Sequence, residues 1–309
     1  MPKDFVSLAD WSSDELLAML ARAAELKQLN LRGERPQTLE GRSLAMFFEK
    51  PSLRTHVTFE AGMTQLGGHA IWLRPEQVGI GTRESAADVA SNLSRWVDAL
   101  VARTYSHHLV EELAAAATIP VINGLTDLMH PCQVMADLQT IAERRPLAES
   151  AIAYVGDGNN MANSLLLGAA VLGLELRLAT PESHRPARLV RKRAEELAAA
   201  SGARLSWSRD PVDAVRGAHF VYTDVWTSMG QEAETEQRRE LFQPYQVNGA
   251  LMAHAPDAWV MHCLPAHRGE EITDEVLDGE KSIVFDQAEN RLHAQKAILE
   301  RLLRRRGRR

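Results

Sequence analysis

The residues best placed for chemistry begin with a short stretch that could bind an anion. Residues 43–48 form an apolar run of strand length, and Lys50-Pro51 then holds the chain extended and out of a helix. Ser52 is a favourable N-cap residue, and Phe59, Met63 and Leu66 follow at helical spacing. The pattern predicts a strand that runs directly into a helix, with an anion site at their junction.

The start of this predicted helix offers several groups that suit a phosphate. A helix that opens at Leu53 leaves backbone N–H groups and the positive end of its dipole facing outward. The hydroxyls of Ser52 and Thr55 and the guanidinium of Arg54 lie beside that end. The same residues, taken alone, would also fit an ordinary capped helix with a surface arginine.

Three later motifs carry further reactive side chains: His130-Pro131-Cys132-Gln133, the run from Asp224 to Gly230, and His262-Cys263-Leu264-Pro265-Ala266 followed by Arg268-Gly269. In order and spacing, these motifs and the Ser52 loop resemble those of the ornithine carbamoyltransferase family along essentially the whole chain. The resemblance implies transfer of the carbamoyl group of carbamoyl phosphate to the side-chain amine of L-ornithine, giving L-citrulline and phosphate. It implies no cofactor and no metal.

The resemblance assigns one group of residues to carbamoyl phosphate. Arg103 and His130 would polarise its carbonyl oxygen, a role whose removal typically costs about 10²–10³ in rate. Gln133, one helical turn after His130, and the Leu264 carbonyl would accept hydrogen bonds from the carbamoyl NH₂. The catalytic set is Arg103, His130 and Cys263, and the full binding set is Ser52, Leu53, Arg54, Thr55, Arg103, His130, Gln133, Cys263, Leu264 and Arg291.

A second group is assigned to L-ornithine. Asp224 and Ser228 suit the α-ammonium, whereas Asn160 and the Met229 N–H suit the α-carboxylate. The side-chain amine should titrate like lysine, near a pKa of ~10.4, so only about one molecule in a few thousand is neutral at pH 7. Asp224 and Cys263 are the candidates for proton removal, although selection of the rare neutral amine needs no base.

Each of these side chains has a simpler interpretation when it is taken in isolation. Arg103 could form a surface ion pair, and His130 could be a satisfied turn histidine. Cys263 could be a buried core thiol, and Asn160 could cap a helix. The match of several motifs in sequence favours the functional interpretation.

The chain departs from the family pattern at two places. His56 stands where the family loop usually has a second arginine, which removes a fixed charge and predicts a pH-sensitive affinity for phosphate. A glutamine that the family often supplies from a neighbouring subunit has no clear match, because Gly79 aligns there and Gln77 stands two residues earlier. That contact is left unassigned.

Strands and helices alternate along the chain, which predicts α/β architecture with parallel sheets flanked by helices. Arg103 and His130 follow predicted strand ends, where ligands bind in open α/β sheets. A loop is predicted over residues 74–83 and a final helix from about residue 287. The predicted strands are residues 43–48, 70–73, 99–103 and 120–125 in the first half, and 151–155, 176–179, 204–207, 219–223, 259–263 and 282–285 in the second.

The length of 309 residues predicts two domains. Arg144-Arg145-Pro146 is the expected hinge. We predict a carbamoyl phosphate domain over residues 1–145, on which the helix of residues 287–309 packs, and an ornithine domain over residues 146–286. The active site is expected in the cleft between them, and the family implies a homotrimer.

Composition bears on location and partners. The net charge of −6 disfavours general nucleic-acid binding, and no apolar run approaches the ~20 residues of a membrane helix. The start of the chain lacks signal-peptide character, so a cytoplasmic location is expected. The 2 cysteines, Cys132 and Cys263, suit reduced thiols.

Two alternative ligands remain open at this stage. A zinc site could be imagined from His130, Cys132, His262 and Cys263, although their spacing is not that of a zinc finger. The loop Gly156-Asp157-Gly158-Asn159-Asn160 resembles a dinucleotide fingerprint at first sight. It lacks the third glycine, where Met161 stands, and no acidic residue follows the next strand.

Overall fold

The computed structural model describes residues 2–227 and 235–304, and the chain divides into two compact units. The first unit is Met1–Gln139 together with Glu289–Arg309, and the second is Thr140–Ala288. The sequence instead placed the divisions at 145/146 and 286/287. The structure divides within two continuous helices, which no loop signal in the sequence could indicate.

The first unit contains a four-stranded parallel sheet in the order β2-β1-β3-β4. The strands are β1 Ser43–Phe48, β2 His69–Leu73, β3 Ala99–Arg103 and β4 Val121–Leu125. Its helices are α1 Ser13–Leu31, α2 Leu53–Gln65, α3 Pro75–Val78, α4 Ala86–Trp96, α5 His107–Ala116 and α6 Pro131–Ala142, the last of which crosses into the second unit.

The position of each strand in this sheet follows from its side chains. β3 is buried along its whole length and β1 along nearly all of it, as expected for apolar strands covered on both faces. β2 lies at the edge and has no fully buried residue. Ser85 caps α4 through a hydrogen bond from the Asp88 N–H.

The second unit contains a five-stranded parallel sheet in the order β7-β6-β5-β8-β9. The strands are β5 Ala151–Val155, β6 Glu175–Ala179, β7 Arg204–Ser208, β8 Phe220–Thr223 and β9 Trp259–His262. The helices are α7 Asn160–Leu172, α8 Arg188–Ser201, α9 Pro211–Val215, α10 Thr235–Phe242, α11 Gly249–Met252, α12 Asp274–Leu277 and α13 Val284–Leu303. Two parallel sheets flanked by helices confirm the predicted fold class.

The structure corrects two predicted elements. Residues 74–83 are not wholly a loop, because Pro75 opens the short helix α3. Residues 282–285 are not a strand: the Val260 N–H donates to Lys281 and the Ile283 N–H to Val260, and the chain then turns into α13 at Val284. This short apolar run fits either period, and α13 begins three residues before the predicted position.

Short 3₁₀ segments complete the described chain at Leu8–Asp10, Leu147–Glu149, Glu182–His184 and Gln243–Tyr245. Across residues 2–227 and 235–304, no helix is both long enough and apolar enough to cross a membrane.

Candidate active site

In the first unit, the junction of β1 and α2 has the geometry of an anion site. Ser52 is the N-cap of α2, and its Oγ accepts a hydrogen bond from the Thr55 N–H at 3.2 Å. The helix opens at Leu53, whose side chain is 75% exposed, so Leu53 can contribute through its backbone while its side chain points elsewhere. The N-terminal N–H groups and the dipole of α2 therefore favour an anion here.

Thr55 is buried and connects two arginines that come from distant parts of the chain. Its Oγ1 accepts from Arg103 Nη1 at 3.4 Å and from Arg291 Nη2 at 3.0 Å. Arg103 ends β3, next to β1, and Arg291 lies on α13. The predicted residues Thr55, Arg103 and Arg291 are thus brought together, although 236 positions separate Thr55 from Arg291.

His130 lies between β4 and α6, in this cationic surrounding. Burial lowers its pKa well below the ordinary value, and the positive charges of Arg291, Arg103 and Arg54 lower it further. The imidazole is therefore neutral at physiological pH. A neutral imidazole retains one N–H, which can donate to a carbonyl oxygen without adding charge.

Gln133 lies on the first turns of α6 and contacts Arg291. Its Oε1 accepts from Arg291 Nη1 at 2.6 Å, and its Nε2 donates to Asp137 Oδ1 at 2.8 Å. Because an amide oxygen has two lone pairs, this oxygen can accept a second hydrogen bond, such as one from a carbamoyl NH₂. Asp137 was not among the predicted site residues.

In the second unit, Asp224 follows β8 and Cys263 follows β9. These strands are parallel neighbours, with Thr223 opposite His262, so the residues after them lie side by side. The Cys263 Sγ donates to Asp224 Oδ1 at 3.0 Å. The sequence placed Cys263 inside its strand, whereas the strand ends one residue earlier, at His262.

Asn159 is a second side chain on Asp224, and sequence reasoning missed it. Its Nδ2 donates to Asp224 Oδ2 at 2.8 Å. Its Oδ1 caps α7 by accepting from the N–H groups of Met161 and Ala162. The capping role considered for Asn160 therefore belongs to Asn159, and Asn160 is the first residue of the helix. The doublet Asn159-Asn160 was the available signal.

A buried ion pair between Arg238 and Asp157 lies near Asp224. Arg238 Nη2 pairs with Asp157 Oδ2, and Arg238 Nε donates to the Trp226 carbonyl at 2.6 Å. Burial raises the pKa of Asp157 to about 7, a shift that Arg238 opposes and the like charge of Asp224 reinforces. No motif in the sequence pointed to Arg238.

The buried pair of His262 and Glu271 supports the backbone that follows β9. His262 Nδ1 accepts from the Leu264 N–H at 2.8 Å, which requires the ring proton to lie on Nε2. That nitrogen contacts Glu271 Oε1 at 2.9 Å, so His262 donates to Glu271. Leu264 has a φ of 57°, a left-handed conformation that this hydrogen bond helps to fix.

Two models of known protein families match this chain, one in each half. "Aspartate/ornithine carbamoyltransferase, carbamoyl-P binding domain" matches residues 3–143, and "Aspartate/ornithine carbamoyltransferase, Asp/Orn binding domain" matches residues 148–302. The chain is a member of the aspartate/ornithine carbamoyltransferase family. The resemblance found in the motifs is thereby confirmed.

Individual members of this family are similar over almost the whole length. An "Ornithine carbamoyltransferase" of Anoxybacillus flavithermus is 53% identical over 303 residues, which cover 97% of this chain and 96% of the relative. An "Ornithine carbamoyltransferase, anabolic" of Pyrococcus furiosus is 51% identical over 299 residues, covering 96% and 95%.

Solved structures of ornithine carbamoyltransferases are also similar to this chain. The structure from Pyrococcus furiosus has a TM-score of 0.95 at 49% identity and covers 98% of each chain. The structure from Thermus thermophilus has a TM-score of 0.87 at 46% identity and covers 98% of this chain and 99% of that one.

Within the family's loop, His56 makes contacts of its own. Its Nε2 lies 3.1 Å from Glu60 Oε2, and its ring centroid lies 4.7 Å from that of Trp72. The predicted ornithine residues Ser228 and Met229 lie outside the described residues.

The residues considered for a zinc ion and for a dinucleotide have other contacts in the structure. The Cys132 thiol donates to the Asn123 carbonyl at 3.3 Å, and burial raises its pKa to about 12, so a zinc ion would have to displace both the thiol proton and this hydrogen bond. Ligand atoms of Asp224, His262 and Cys263 lie within 4.8 Å of one another, but both His262 nitrogens are hydrogen-bonded. At Gly158, a Cβ would lie 2.3 Å from the His184 carbonyl oxygen, so protein backbone fills the space beside the glycine.

Proposed function

We propose that the chain transfers the carbamoyl group of carbamoyl phosphate to the side-chain amine of L-ornithine, yielding L-citrulline and phosphate. The observation that carries this proposal is the group formed in the first unit by Thr55, Arg103, Arg291 and Gln133 at the start of α2. It combines cations for a phosphate with an amide oxygen for an NH₂ group, which are the two ends of carbamoyl phosphate.

In this reaction, the first unit holds the carbamoyl donor. The phosphate binds Ser52, the Leu53 N–H, Arg54 and Thr55 at the start of α2, with Arg103 and Arg291 supplying further charge. Hydrogen bonds to charged groups contribute about 1.5–3 kcal/mol each. Neutral His130 and Arg103 donate to the carbonyl oxygen, whose negative charge grows as the tetrahedral intermediate forms.

The second unit holds L-ornithine. Asp224 and Ser228 accept from the α-ammonium, and Asn160 and the Met229 N–H donate to the α-carboxylate. Asn159 and Cys263 both donate to Asp224, which keeps its carboxylate in one orientation. Cys263 and the Leu264 carbonyl are assigned to the reacting carbamoyl group, as the family resemblance implies.

The chemical step occurs when the two bound substrates meet. The neutral amine attacks the carbamoyl carbon, a C–N bond forms, and the C–O bond to the phosphate breaks. The amine loses one proton, and phosphate leaves with the bonding electron pair. Asp224 is the nearby carboxylate that can accept this proton, whereas the Cys263 thiol keeps its own proton and donates it to Asp224.

We also propose a cytoplasmic homotrimer that serves arginine metabolism and amino-acid biosynthesis. Two free cysteines suit a reducing compartment. A contact between subunits is supported by exposed apolar side chains near the edge strand β2, namely Leu53, Val57, Ile71 and Trp72. Sedimentation that showed a fully active monomer would contradict the trimer.

A citrulline-formation assay with carbamoyl phosphate and a panel of amines tests the function. L-ornithine should be preferred by about tenfold or more over putrescine and N-acetylornithine, because each of these leaves polar groups of the site unpaired at about 1–3 kcal/mol each. Aspartate should also be disfavoured, because its amine is on the α-carbon and its second carboxylate would meet Asp224. Asp224→Asn should lower activity with ornithine more than activity with the other amines, which reduces this preference. Preference for putrescine in the wild type, or an absence of citrulline with every amine, would refute the proposal.

A further inference from the structure

The side chain of Gln133 has two ends of nearly the same shape, and only its hydrogen bonds determine which end faces the donor site. The carbonyl end accepts from Arg291 Nη1 at 2.6 Å, and the NH₂ end donates to Asp137 Oδ1 at 2.8 Å. Gln133 is 1% exposed and Asp137 is fully buried, so bulk water does not take the place of either partner.

We propose that Asp137 is a positioning residue that keeps the amide oxygen of Gln133 directed at the NH₂ group of carbamoyl phosphate. This inference rests on the proposed function, because it assumes that a carbamoyl group is the ligand. Asp137 lies four residues after Gln133 on α6, at the spacing that places both side chains on one face of the helix.

The chemistry of the two partners makes the orientation unambiguous. An arginine side chain has only donors, and the Asp137 Oδ1 is an acceptor in its contact with Gln133. If the amide turned over, its NH₂ would face the donors of Arg291 and its oxygen would face the Asp137 carboxylate. Both contacts would be repulsive, and the carbamoyl NH₂ would then meet another donor.

Arg291 cannot fix this orientation by itself once the substrate has bound. Arg291 also donates to Thr55, at the start of α2 where the phosphate binds in the proposed function. A phosphate dianion competes for guanidinium N–H groups, because charge-assisted hydrogen bonds are stronger than bonds to a neutral amide. Asp137 contacts the opposite end of the amide and therefore holds the amide both before and after the substrate binds.

The experiment compares carbamoyl phosphate with acetyl phosphate, which has a methyl group where carbamoyl phosphate has NH₂. Dissociation constants for both compounds and for inorganic phosphate would be measured by ligand-dependent thermal shifts. The variants are Asp137→Asn, whose amide can present either a donor or an acceptor, and Gln133→Leu, which removes the amide. The double variant completes a thermodynamic cycle.

The wild type should bind carbamoyl phosphate more tightly than acetyl phosphate, and Asp137→Asn should reduce this preference about three- to tenfold, the value of one hydrogen bond. Affinity for inorganic phosphate should change less than twofold. In the Gln133→Leu background, Asp137→Asn should have no further effect on the preference. If Asp137→Asn does not fold, Asp137→Ser takes its place, because a hydroxyl can also donate or accept.

An unchanged preference in the folded Asp137 variant would overturn the inference, and so would an equal effect in the Gln133→Leu background. A wild type that does not distinguish the two compounds would overturn it as well. These are binding measurements, so they are separate from the citrulline assay. A wild type that discriminates between the compounds but forms no citrulline would refute the proposed function and leave the role of Asp137 supported.

Discussion

The Cys263 thiol donates a hydrogen bond to the Asp224 carboxylate, with Sγ and Oδ1 3.0 Å apart. The contact exists because β8 and β9 are parallel neighbours that end at the same level. It places the thiol within one hydrogen bond of the carboxylate that is the candidate acceptor of the amine's proton.

Replacement of this thiol should separate its hydrogen bond from its other properties. Cys263→Ser retains a donor for Asp224, whereas Cys263→Ala leaves the carboxylate with one donor fewer. We expect kcat/KM for ornithine to be about three- to tenfold higher in the serine variant than in the alanine variant. Steady-state kinetics at saturating carbamoyl phosphate would measure this. Equal values for the two variants would show that the donor is unimportant.

Thr55→Val should weaken phosphate binding. The substitution keeps the shape of the side chain but removes the oxygen that accepts from Arg103 and Arg291. We expect about a tenfold loss of affinity for inorganic phosphate, measured by calorimetry, because bonds to charged groups are worth about 1.5–3 kcal/mol.

The matched control for Thr55 is Thr58→Val on the same helix. The Thr58 hydroxyl donates to the Arg54 carbonyl at 2.5 Å, so its loss leaves the arginine side chains in place. Similar losses of affinity in the two variants would point to a general weakening of α2 and would contradict the specific role of Thr55.

Asn159→Ser should raise the KM for ornithine and leave the protein folded. Serine caps a helix about as well as asparagine does, so α7 keeps its start. The variant loses the donor to Asp224 Oδ2. We expect a three- to tenfold rise in KM with a melting temperature near that of the wild type. A large fall in melting temperature with an unchanged KM would assign Asn159 to stability alone.

The neutral His130 predicts a specific dependence of stability on pH. Its pKa is lowered in the folded protein, so the unfolded chain takes up a proton first as the pH falls below ~6.5. The stability that depends on the neutral form is present above that pH and is lost as the pH falls towards the folded value.

His130→Gln removes this titration. The wild type should therefore lose stability relative to the variant between about pH 6.5 and pH 5, whereas the difference between the two proteins should be constant above pH 7. Melting temperatures across this range would test the prediction. A difference that stays constant down to pH 5 would mean that the imidazole titrates normally.

Lys296 on α13 should limit stability near neutral pH. Its Nζ donates to Gln65 Oε1 at 3.0 Å, and burial lowers its pKa to about 8, with Arg35 adding to the effect. Because the folded value lies below the unfolded one, the full cost of the buried charge applies below pH 8. The cost decreases as the pH rises from 8 towards ~10.4.

Lys296→Met should therefore stabilise the protein at pH 7 by roughly 1–2 kcal/mol, and the gain should shrink by pH 10. The figure allows for screening of the charge by water and for loss of the Gln65 hydrogen bond. The control is Lys192→Met, at an exposed position, which should change stability little at either pH. A gain that grows with pH would contradict the assigned shift.

Most strands and helices, and the parallel arrangement of the sheets, could be predicted from local pattern. Apolar runs of strand length, the Ser52 and Ser85 caps and Pro131 at the start of α6 are signals contained within a few residues. The predicted strand over residues 282–285 was wrong because four apolar and small residues fit the end of a strand or the first turn of a helix equally well.

The sequence by itself determined the family, the order of elements and the residue types available for chemistry. Only the tertiary structure decided that Asn159 rather than Asn160 caps α7, that Asn159 donates to Asp224, that Gln133 donates to Asp137, and that Arg291 bonds Thr55 and Gln133. Arg291 is 158 positions from Gln133 and 236 from Thr55. Such contacts depend on which strands are neighbours and on where the last helix packs. The spacing of residues along the chain does not predict either of these.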